Sequence, residues 1–411
     1  MTKTTLNRRH FLQTTGLVAG LAAASPLLKG CAPVGPASTG GSGSQPVKIG
    51  VLLPYTGIYA VLGSSITAAM EMYLDEVGNE AGGRKIELII EDTEIKPDVA
   101  QQKARKLVEQ DEVDFLTGIV SSGVLLGLRD YIIANEKLLI CSLAGSNLLS
   151  RELKTPYIWR TSFTNWMHNW PLGSWAAENV GKSAVLSVPD YAAGEDSLSA
   201  FQNSFEAGGG EVLSIQRTPF PNMGDPAPFM AEIADIAPDL VYAFYAGSAS
   251  ATFVKAYDDF GLTGNIPLVG SGFLVEEDVL PAQGAAALAF TAVCTGALLD
   301  NPENKAFTAA YTERTGNNAD VSAVHGYDTG RVIVDMLNML EGDTSDVNRM
   351  IDSLSGISFK SPRGDFSLDP GPQAPRHHIY LREVQDEGGE LFNAIVQDLG
   401  ETVDPGDNSK G

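Results

Sequence analysis

Residues 113–142 read VDFLTGIVSSGVLLGLRDYIIANEKLLICS, and this stretch decides the fold class. Two short apolar runs, Val113 to Ile119 and Leu138 to Ser142, flank a segment from Gly123 to Asn135 whose apolar residues follow a helical period. A strand, a helix and a second strand in this order form a βαβ unit, in which the two strands lie parallel. We therefore predict a parallel sheet covered by helices.

The same alternation extends in both directions along the chain. Strand and helix patterns alternate from Val47 to Ser142, and the rhythm begins again with a helix at Trp166 and continues to Gly270. A chain of 411 residues exceeds the usual size of one domain. The sequence therefore predicts an α/β protein with two doubly wound parallel-sheet lobes.

Three irregular segments would let the chain cross between these lobes, at residues 159–163, 295–303 and 356–361. The predicted boundaries are residues 47–161 with 298–358 for the first lobe and 162–297 with 359–400 for the second. Residues 401–411 are predicted to form a disordered tail.

The N-terminus is typical of an export signal. Asn7-Arg8-Arg9-His10-Phe11-Leu12 precedes an apolar run from Gly16 to Leu28, which predicts a twin-arginine signal peptide over residues 1–30. An ordinary amphipathic helix is the alternative. Leu28-Lys29-Gly30-Cys31 is similar to a lipoprotein cleavage site, in which Cys31 would be acylated. Cleavage near residues 22–24 would instead leave a soluble periplasmic protein.

Residues 31–46 are rich in glycine, serine and proline, which predicts a flexible linker between a lipid anchor and the folded body. No later stretch has the roughly 20 apolar residues that a membrane-spanning helix needs. Besides Cys31 the chain has only Cys141 and Cys294, each inside an apolar run. We expect two buried thiols rather than a disulfide.

The charge of the chain argues against nucleic acid as a partner. The formal net charge is −23, and no cluster of lysine or arginine interrupts the acidity. Phosphates would be repelled by such a surface.

Serine-rich segments follow two neighbouring predicted strands, Thr117 to Gly123 and Cys141 to Asn147. Ligands of open parallel sheets bind outside the carboxyl ends of the strands, where helix N-termini offer free N–H groups. The sequence therefore predicts an anion site here. The alternative is that Ser121 or Ser122 only caps the helix that begins near Gly123.

Several short motifs, in order, resemble the branched-chain amino-acid type of periplasmic solute-binding protein that serves ABC importers. They are Ile49-Gly50-Val51-Leu52-Leu53-Pro54-Tyr55-Thr56-Gly57, Gly118 to Ser122, Ser142 to Asn147, Trp159-Arg160-Thr161, Tyr191-Ala192-Ala193-Gly194, Tyr327-Asp328 and Ser361-Pro362-Arg363-Gly364-Asp365-Phe366. The resemblance implies a type I periplasmic binding protein fold with a three-crossover hinge, which closes on a ligand. It also implies that Ser122, Gly145 and Ser146 hold the ligand carboxylate; the adjacent Ser121 is a further candidate from the serine-rich segment itself. The last motifs favour members that bind aromatic or hydrophobic acids.

Amino-acid binders of this family place an acidic residue after the strand that corresponds to Ile266 to Gly270. This chain reads Ser271-Gly272-Phe273-Leu274-Val275 there, with no carboxylate before Glu276. An unpaired buried ammonium costs several kcal/mol, so an aromatic or hydrophobic acid is favoured and a branched-chain amino acid comes next. Glu276 or Asp190 would be the substitutes if the loop is shifted.

Aromatic side chains at the predicted strand ends would form the wall of the cleft. The candidates are Tyr59, Trp166, Tyr191, Tyr245 and Phe273.

The sequence predicts neither an enzyme nor a cofactor or metal site. No nucleophile elbow, Walker loop or zinc-protease motif is present, and the adjacent His377 and His378 would point to opposite faces of a strand. Asp328 is predicted either to bond across the hinge or the cleft or to be a charge at the N-terminus of a helix. The predicted function is capture of a small carboxylate outside the cytoplasm and delivery to the permease of an ABC importer. The alternative is a sensor that docks on a membrane receptor.

Overall fold

The computed structural model describes residues 45–294 and 299–406. The predicted signal peptide, Cys31, nearly all of the linker and residues 407–411 lie outside the described residues. None of the described helices combines the length and the apolar character needed to cross a membrane.

The first sheet has six strands in the order β2-β3-β1-β4-β5-β6. Its pairs are parallel except for β2 with β3. The connecting helices are amphipathic or apolar and cover the sheet. The bounds are β1 (Val47–Leu53), α1 (Ala60–Glu76), β2 (Glu80–Ala81), β3 (Arg84–Asp92), α2 (Pro97–Glu109), β4 (Phe115–Gly118), α3 (Ser122–Ala134), β5 (Leu139–Cys141) and β6 (Ile158–Arg160).

The second sheet has nine strands, eight in the order β12-β13-β14-β11-β10-β9-β7-β8, with β15 paired to β14. Strands β7 to β11 are parallel, and β11 to β15 are joined by antiparallel pairs. The bounds of its strands and neighbouring helices are α4 (Asn165–Asn179), β7 (Ser183–Pro189), α5 (Ala192–Ala207), β8 (Glu211–Thr218), α6 (Ala227–Ile236), β9 (Leu240–Ala243), α7 (Ser248–Asp259), β10 (Leu268–Ser271), α8 (Leu280–Gln283), β11 (Phe290–Val293), β12 (Ser358–Ser361), β13 (Gly364–Asp369), β14 (Ala374–Glu387) and β15 (Glu390–Thr402).

Three helices stand between β11 and β12 in the chain: α9 (Pro302–Thr315), α10 (Val321–Met339) and α11 (Val347–Leu354). Helices α9 and α10 pack on α1, beside the first sheet, whereas β12 belongs to the second sheet. The chain therefore passes between the sheets after β6, before α9 and after α11. The predicted α/β fold with two doubly wound lobes is confirmed, and the residue limits of each lobe stay a prediction.

A buried ion pair links the segments at which the chain passes between the two sheets. Nε of Arg363 lies 2.8 Å from Oδ2 of Asp328, and neither side chain is exposed. Arg363 also donates to the carbonyls of Thr161 and Ser162, and Ser361 donates to Asp328 at 2.8 Å. Asp328 thus bonds across the hinge, and Arg363 is part of the hinge core.

The C-terminal end of the fold lies further along the chain than predicted. Strand β15 continues to Thr402, and the buried Asp404 accepts a hydrogen bond from Thr164 at 2.7 Å and lies 3.5 Å from the guanidinium of Arg151. The prediction of a disordered tail from residue 401 is therefore wrong for residues 401–404, which belong to the folded body. Nothing in the polar sequence around Asp404 marks this residue for such a tertiary contact.

Both cysteines of the described body are free and fully buried. Cys141 ends β5 under the helices of the first sheet, and Cys294 follows β11 of the second. They lie on different sheets, which agrees with the prediction of two buried thiols.

Candidate functional site

An apolar cavity lies where the carboxyl ends of strands from the two sheets face each other. Its volume is about 30 Å³. The lining residues are Tyr59, Leu62, Val120, Ser122, Leu143, Gly145, Phe163, Asn165, Tyr191, Ala193, Phe244, Ala246 and Phe273.

The topology explains why these residues meet. Pairs of lining residues follow the parallel strands β4, β5, β7 and β9, and Phe273 follows β10. Parallel strands that share a sheet direct their carboxyl ends to the same edge, where doubly wound proteins bind ligands. Each sheet therefore contributes one wall of the cavity.

Neutral polar groups provide the hydrogen-bonding capacity of the cavity. Ser122 begins α3, so its hydroxyl lies beside the free N–H groups and the positive end of the helix. Nδ2 of Asn165 lies 3.5 Å from the Ser122 hydroxyl oxygen. No lysine, arginine or acidic side chain is among the described residues that line the cavity. The cavity can therefore bind an anion only through dipoles and hydrogen bonds.

Asn165 is held in place from behind by Asp196. Asn165 donates to Oδ2 of Asp196 at 3.1 Å, and the backbone N–H of Asn147 donates to the same oxygen at 2.9 Å. Burial raises the pKa of Asp196, although both donors act in the opposite direction. Since Asn147 follows the first sheet and Asp196 lies in α5 of the second, this carboxyl group joins the two lobes beside the cavity.

Two tyrosines close the cavity on another side. The hydroxyl groups of Tyr59 and Tyr191 lie 2.8 Å apart, and Tyr191 stacks on Phe220 with ring centroids 4.1 Å apart. Burial raises the pKa of both phenols. They therefore stay neutral and can each donate or accept a hydrogen bond.

The cavity is closed too tightly for an aromatic ring in this conformation. A cavity of about 30 Å³ has room for roughly two water molecules, whereas a benzene site in another protein measures about 150 Å³. A ring can enter only after the two walls separate.

Five of the nine predicted ligand-binding residues lie on the cavity wall: Ser122, Gly145, Tyr59, Tyr191 and Phe273. Their contact with a ligand stays a prediction. The other four, Ser121, Ser146, Trp166 and Tyr245, do not line the cavity.

Side-chain alternation explains the placement of Tyr245. Phe244 and Ala246 face the cavity, and Tyr245 between them points into the core, where its ring lies 4.6 Å from that of Phe253. Its hydroxyl group bonds to Ser187 at 2.9 Å. Its assignment to the cleft wall is therefore corrected to a core role.

Each of the other three predicted residues is the chain neighbour of a residue that lines the cavity but does not line it itself. Trp166 stacks on Trp170 at 5.4 Å, on another face of α4 from the cavity residue Asn165. The hydroxyl of Ser146 is buried without a partner, and its carbonyl accepts from Arg160 at 2.5 Å. Ser121 precedes the first residue of α3 and makes no side-chain capping bond.

The sequence reasoning missed Phe163, Asn165 and Phe244. Asn165 and Phe163 come directly after the Trp159-Arg160-Thr161 motif, and this position after the first crossover was the available signal. For Phe244 the local pattern gave no such signal: it shares a strand face with the buried Tyr242, and only the packing of the two lobes decides which face of the strand end meets the cavity.

Neither substitute for an ammonium partner reaches the cavity. Glu276 is buried against Arg382, with its carboxylate 2.6 Å from Nη2, and it accepts from the backbone N–H of Val321 at 2.9 Å. Asp190 is exposed and is not a lining residue. The carboxylates of both residues are thus directed elsewhere.

Comparison with known proteins identifies the family. Residues 46–390 match the periplasmic binding protein family. The chain is 32% identical over 369 residues to the Leu/Ile/Val-binding protein homolog 6 of Brucella melitensis, and the match covers 88% of this chain and 93% of that protein.

Two solved structures from Rhodopseudomonas palustris are similar over almost their whole length. The solute-binding protein of an ABC transporter from strain BisB5, in complex with 3,4-dihydroxybenzoic acid, is 32% identical with a TM-score of 0.83, over 87% of this chain and 98% of that one. A solute-binding protein in complex with benzoate is 34% identical with a TM-score of 0.82, over 87% and 97%. The chain therefore belongs to the periplasmic binding protein family and is a solute-binding protein of the ABC-transporter type.

Proposed function

We propose that this protein captures a small aromatic carboxylate between its two lobes and presents it to the permease of an ABC importer. The observation that carries the proposal is the composition of the cavity wall: neutral donors at the N-terminus of α3 on one side and aromatic rings on the other. The relatives that bind benzoate and 3,4-dihydroxybenzoic acid support it.

The carboxylate of the ligand would lie against Ser122 and Gly145. A carboxylate that accepts hydrogen bonds from a hydroxyl group and from N–H groups at a helix N-terminus needs no cationic side chain. Asn165 is the third polar group at this end, and Asp196 fixes its orientation. Ser122 and Asn165 are both buried, so their hydrogen bonds to the ligand would be shielded from water.

The remaining walls favour an apolar ligand body over a zwitterion. Phe163, Phe244 and Phe273 would contact the ring, and none of the lining residues offers a carboxylate to an α-ammonium. Burying an unpaired ammonium costs several kcal/mol, which disfavours leucine, isoleucine and valine. The paired hydroxyl groups of Tyr59 and Tyr191 could instead bond to a hydroxyl substituent on the ring.

Capture would proceed by closure of the hinge. Tyr59 belongs to the first lobe and Tyr191 to the second, so their hydrogen bond forms only when the lobes meet. Asp196 makes a second bond of this kind with Asn147. A ligand that contacts both walls would shift the population toward the closed form.

The family is periplasmic, and the route of export is part of the proposal. We assign residues 1–30 to a twin-arginine signal and Cys31 to a lipid anchor, with the following linker as a tether to the folded body. The protein would act by binding alone, without catalysis.

The proposal is tested by calorimetry and thermal shift with a matched set of ligands. Benzoate, 4-hydroxybenzoate and 3,4-dihydroxybenzoate should bind and raise the unfolding temperature. Benzamide, which has the same shape as benzoate without the charge, should bind much more weakly, and leucine and phenylalanine should have little effect. Stronger binding of leucine than of any aromatic acid would refute the proposal, as would equal affinity for benzamide and benzoate.

A further inference from the structure

A cluster of soft metal-binding side chains lies beneath the wall of the ligand cavity. His168 of α4, Cys294 after β11 and His377 of β14 each direct one ligand atom into a space where these atoms lie within 4.8 Å of one another. All three side chains are buried. Within residues 45–294 and 299–406 it is the one group of three such residues with this spacing.

Three of the four imidazole nitrogens of His168 and His377 are buried without a hydrogen-bond partner. Nε2 of His168 and both ring nitrogens of His377 are buried and unpaired. Buried polar atoms are nearly always bonded in folded proteins, because leaving one unpaired costs the free energy of its desolvation. The two histidines therefore lack the bonds that a purely structural role would give them.

The sulfur of Cys294 lies beside a guanidinium group and an imidazole ring. Nη1 of Arg363 donates to it at 3.5 Å, and Nε2 of His325 lies at 3.6 Å. Burial raises the pKa of the Cys294 thiol, and the charge of Arg363 acts against this rise. Metal coordination would release the thiol proton and leave a thiolate that the guanidinium of Arg363 stabilises.

Burial and the charge of Arg363 disfavour the protonated form of both histidines, which lowers the pKa of His168 to about 3 and that of His377 well below its ordinary value. Metal ions bind the neutral form of imidazole.

We propose that His168, Cys294 and His377 form a binding site for monovalent copper. Two imidazoles and a thiolate are soft ligands of the type that Cu(I) prefers. One thiolate neutralises one monovalent ion, so the occupied site carries no net charge. A divalent ion would leave a buried positive charge beside Arg363, whose own partner is Asp328.

The site is distinct from the ligand cavity but shares a wall with it. The ring of His168 stacks on Phe163, with centroids 4.3 Å apart, and Phe163 lines the cavity. None of the three proposed metal ligands lines the cavity. Copper binding therefore does not depend on the proposed solute.

The experiment is an anaerobic titration of the purified full chain with Cu(I), in competition with a chromophoric Cu(I) chelator. Every form tested carries Cys31→Ser, so that the N-terminal thiol does not contribute. We expect one Cu(I) per chain, with one sulfur and two nitrogens in the first shell by X-ray absorption. Cys294→Ser and His377→Gln should each weaken binding at least 100-fold.

Two matched variants serve as controls. Cys141→Ser changes the other buried cysteine, whose sulfur hydrogen-bonds to the carbonyls of Ile119 and Ala144. His378→Gln changes the exposed histidine that is paired with Asp398. Both should bind Cu(I) like the parent chain. Circular dichroism and urea unfolding identify any variant that fails to fold, and His168→Gln then replaces it. Absence of competition with the chelator, full binding by Cys294→Ser, or tighter binding of Zn²⁺ than of Cu(I) would overturn the proposal.

Discussion

Removing the Ser122 hydroxyl group should weaken the binding of benzoate about 10- to 40-fold. A hydrogen bond to a charged group contributes about 1.5–3 kcal/mol, and about 1.4 kcal/mol corresponds to a tenfold change in Kd. We expect the lower half of that range in Ser122→Ala, because Nδ2 of Asn165 lies 3.5 Å from the hydroxyl and remains available. Asn165 cannot replace the lost bond fully, since it also donates to Asp196 at 3.1 Å.

The assay is isothermal titration calorimetry of benzoate with the parent chain, Ser122→Ala and Ser121→Ala. Ser121 is the matched control because it is the adjacent serine, is also buried, makes no capping bond and does not line the cavity. Its Kd should stay within twofold of the parent value. A change below threefold in Ser122→Ala, or an equal loss in Ser121→Ala, would refute the assignment of the carboxylate to this hydroxyl group.

Three further predictions concern the cavity wall, the hinge and pH. A Cβ at Gly145 would lie 2.7 Å from Oδ1 of Asn165, so Gly145→Ala should raise the Kd for benzoate, measured by calorimetry, at least tenfold. At Gly123 the nearest atom to an added Cβ is 3.7 Å away, so Gly123→Ala should leave the Kd unchanged. Equal effects of the two substitutions would contradict the site. Asp328→Asn leaves the buried guanidinium of Arg363 without its counter-ion and should lower the free energy of unfolding in urea by about 3–5 kcal/mol. A loss under 1 kcal/mol would count against a stabilising role of this ion pair. Burial lowers the pKa of His168 to about 3, so as the pH falls from about 6.5 toward 3 the imidazole is protonated in the unfolded chain before it is protonated in the folded one, and stability falls. In the presence of a copper chelator, His168→Phe should therefore reduce the slope of unfolding free energy against pH by about 1.4 kcal/mol per unit near pH 4.5. An unchanged slope would contradict a neutral buried imidazole.

The fold was predictable because its signals are local and repeated. Apolar runs such as Val113 to Ile119, each followed by a helical pattern, mark parallel strands wherever they occur. The antiparallel strands β12 to β15 were less well defined, since Ser358–Ser361 is short and polar and was predicted to be an irregular link. Its pairing with β13 depends on a neighbour that the local pattern does not reveal.

The site was predictable only to within about one residue. Strand ends located the correct loops, so Ser122, Gly145 and Tyr191 lie on the cavity wall as their position suggested. The choice between Phe244 and Tyr245 depends on which face of a strand end meets the other lobe, and this is a tertiary property.

The copper ligands were beyond sequence reasoning altogether. His168, Cys294 and His377 are separated by more than 80 residues at each step, and no spacing rule joins them. Only the packing of the second lobe, where α4, β11 and β14 converge, brings them together. The adjacent pair His377-His378 drew attention to the right strand, but its members do point to opposite faces, one buried and one exposed.

No charged side chain is among the described residues that line the cavity. Different forces would therefore act on a carboxylate during its approach and after it is bound. The whole chain has a net charge of −23, which repels an anion over the Debye length of about 8 Å at physiological ionic strength. In the proposed site the anion would meet only dipoles at hydrogen-bonding distance, which dissolved ions screen little. Added salt therefore accelerates association by weakening the repulsion and leaves dissociation nearly unchanged. Affinity for an anion then rises with ionic strength, opposite to the behaviour of a site built on lysine or arginine.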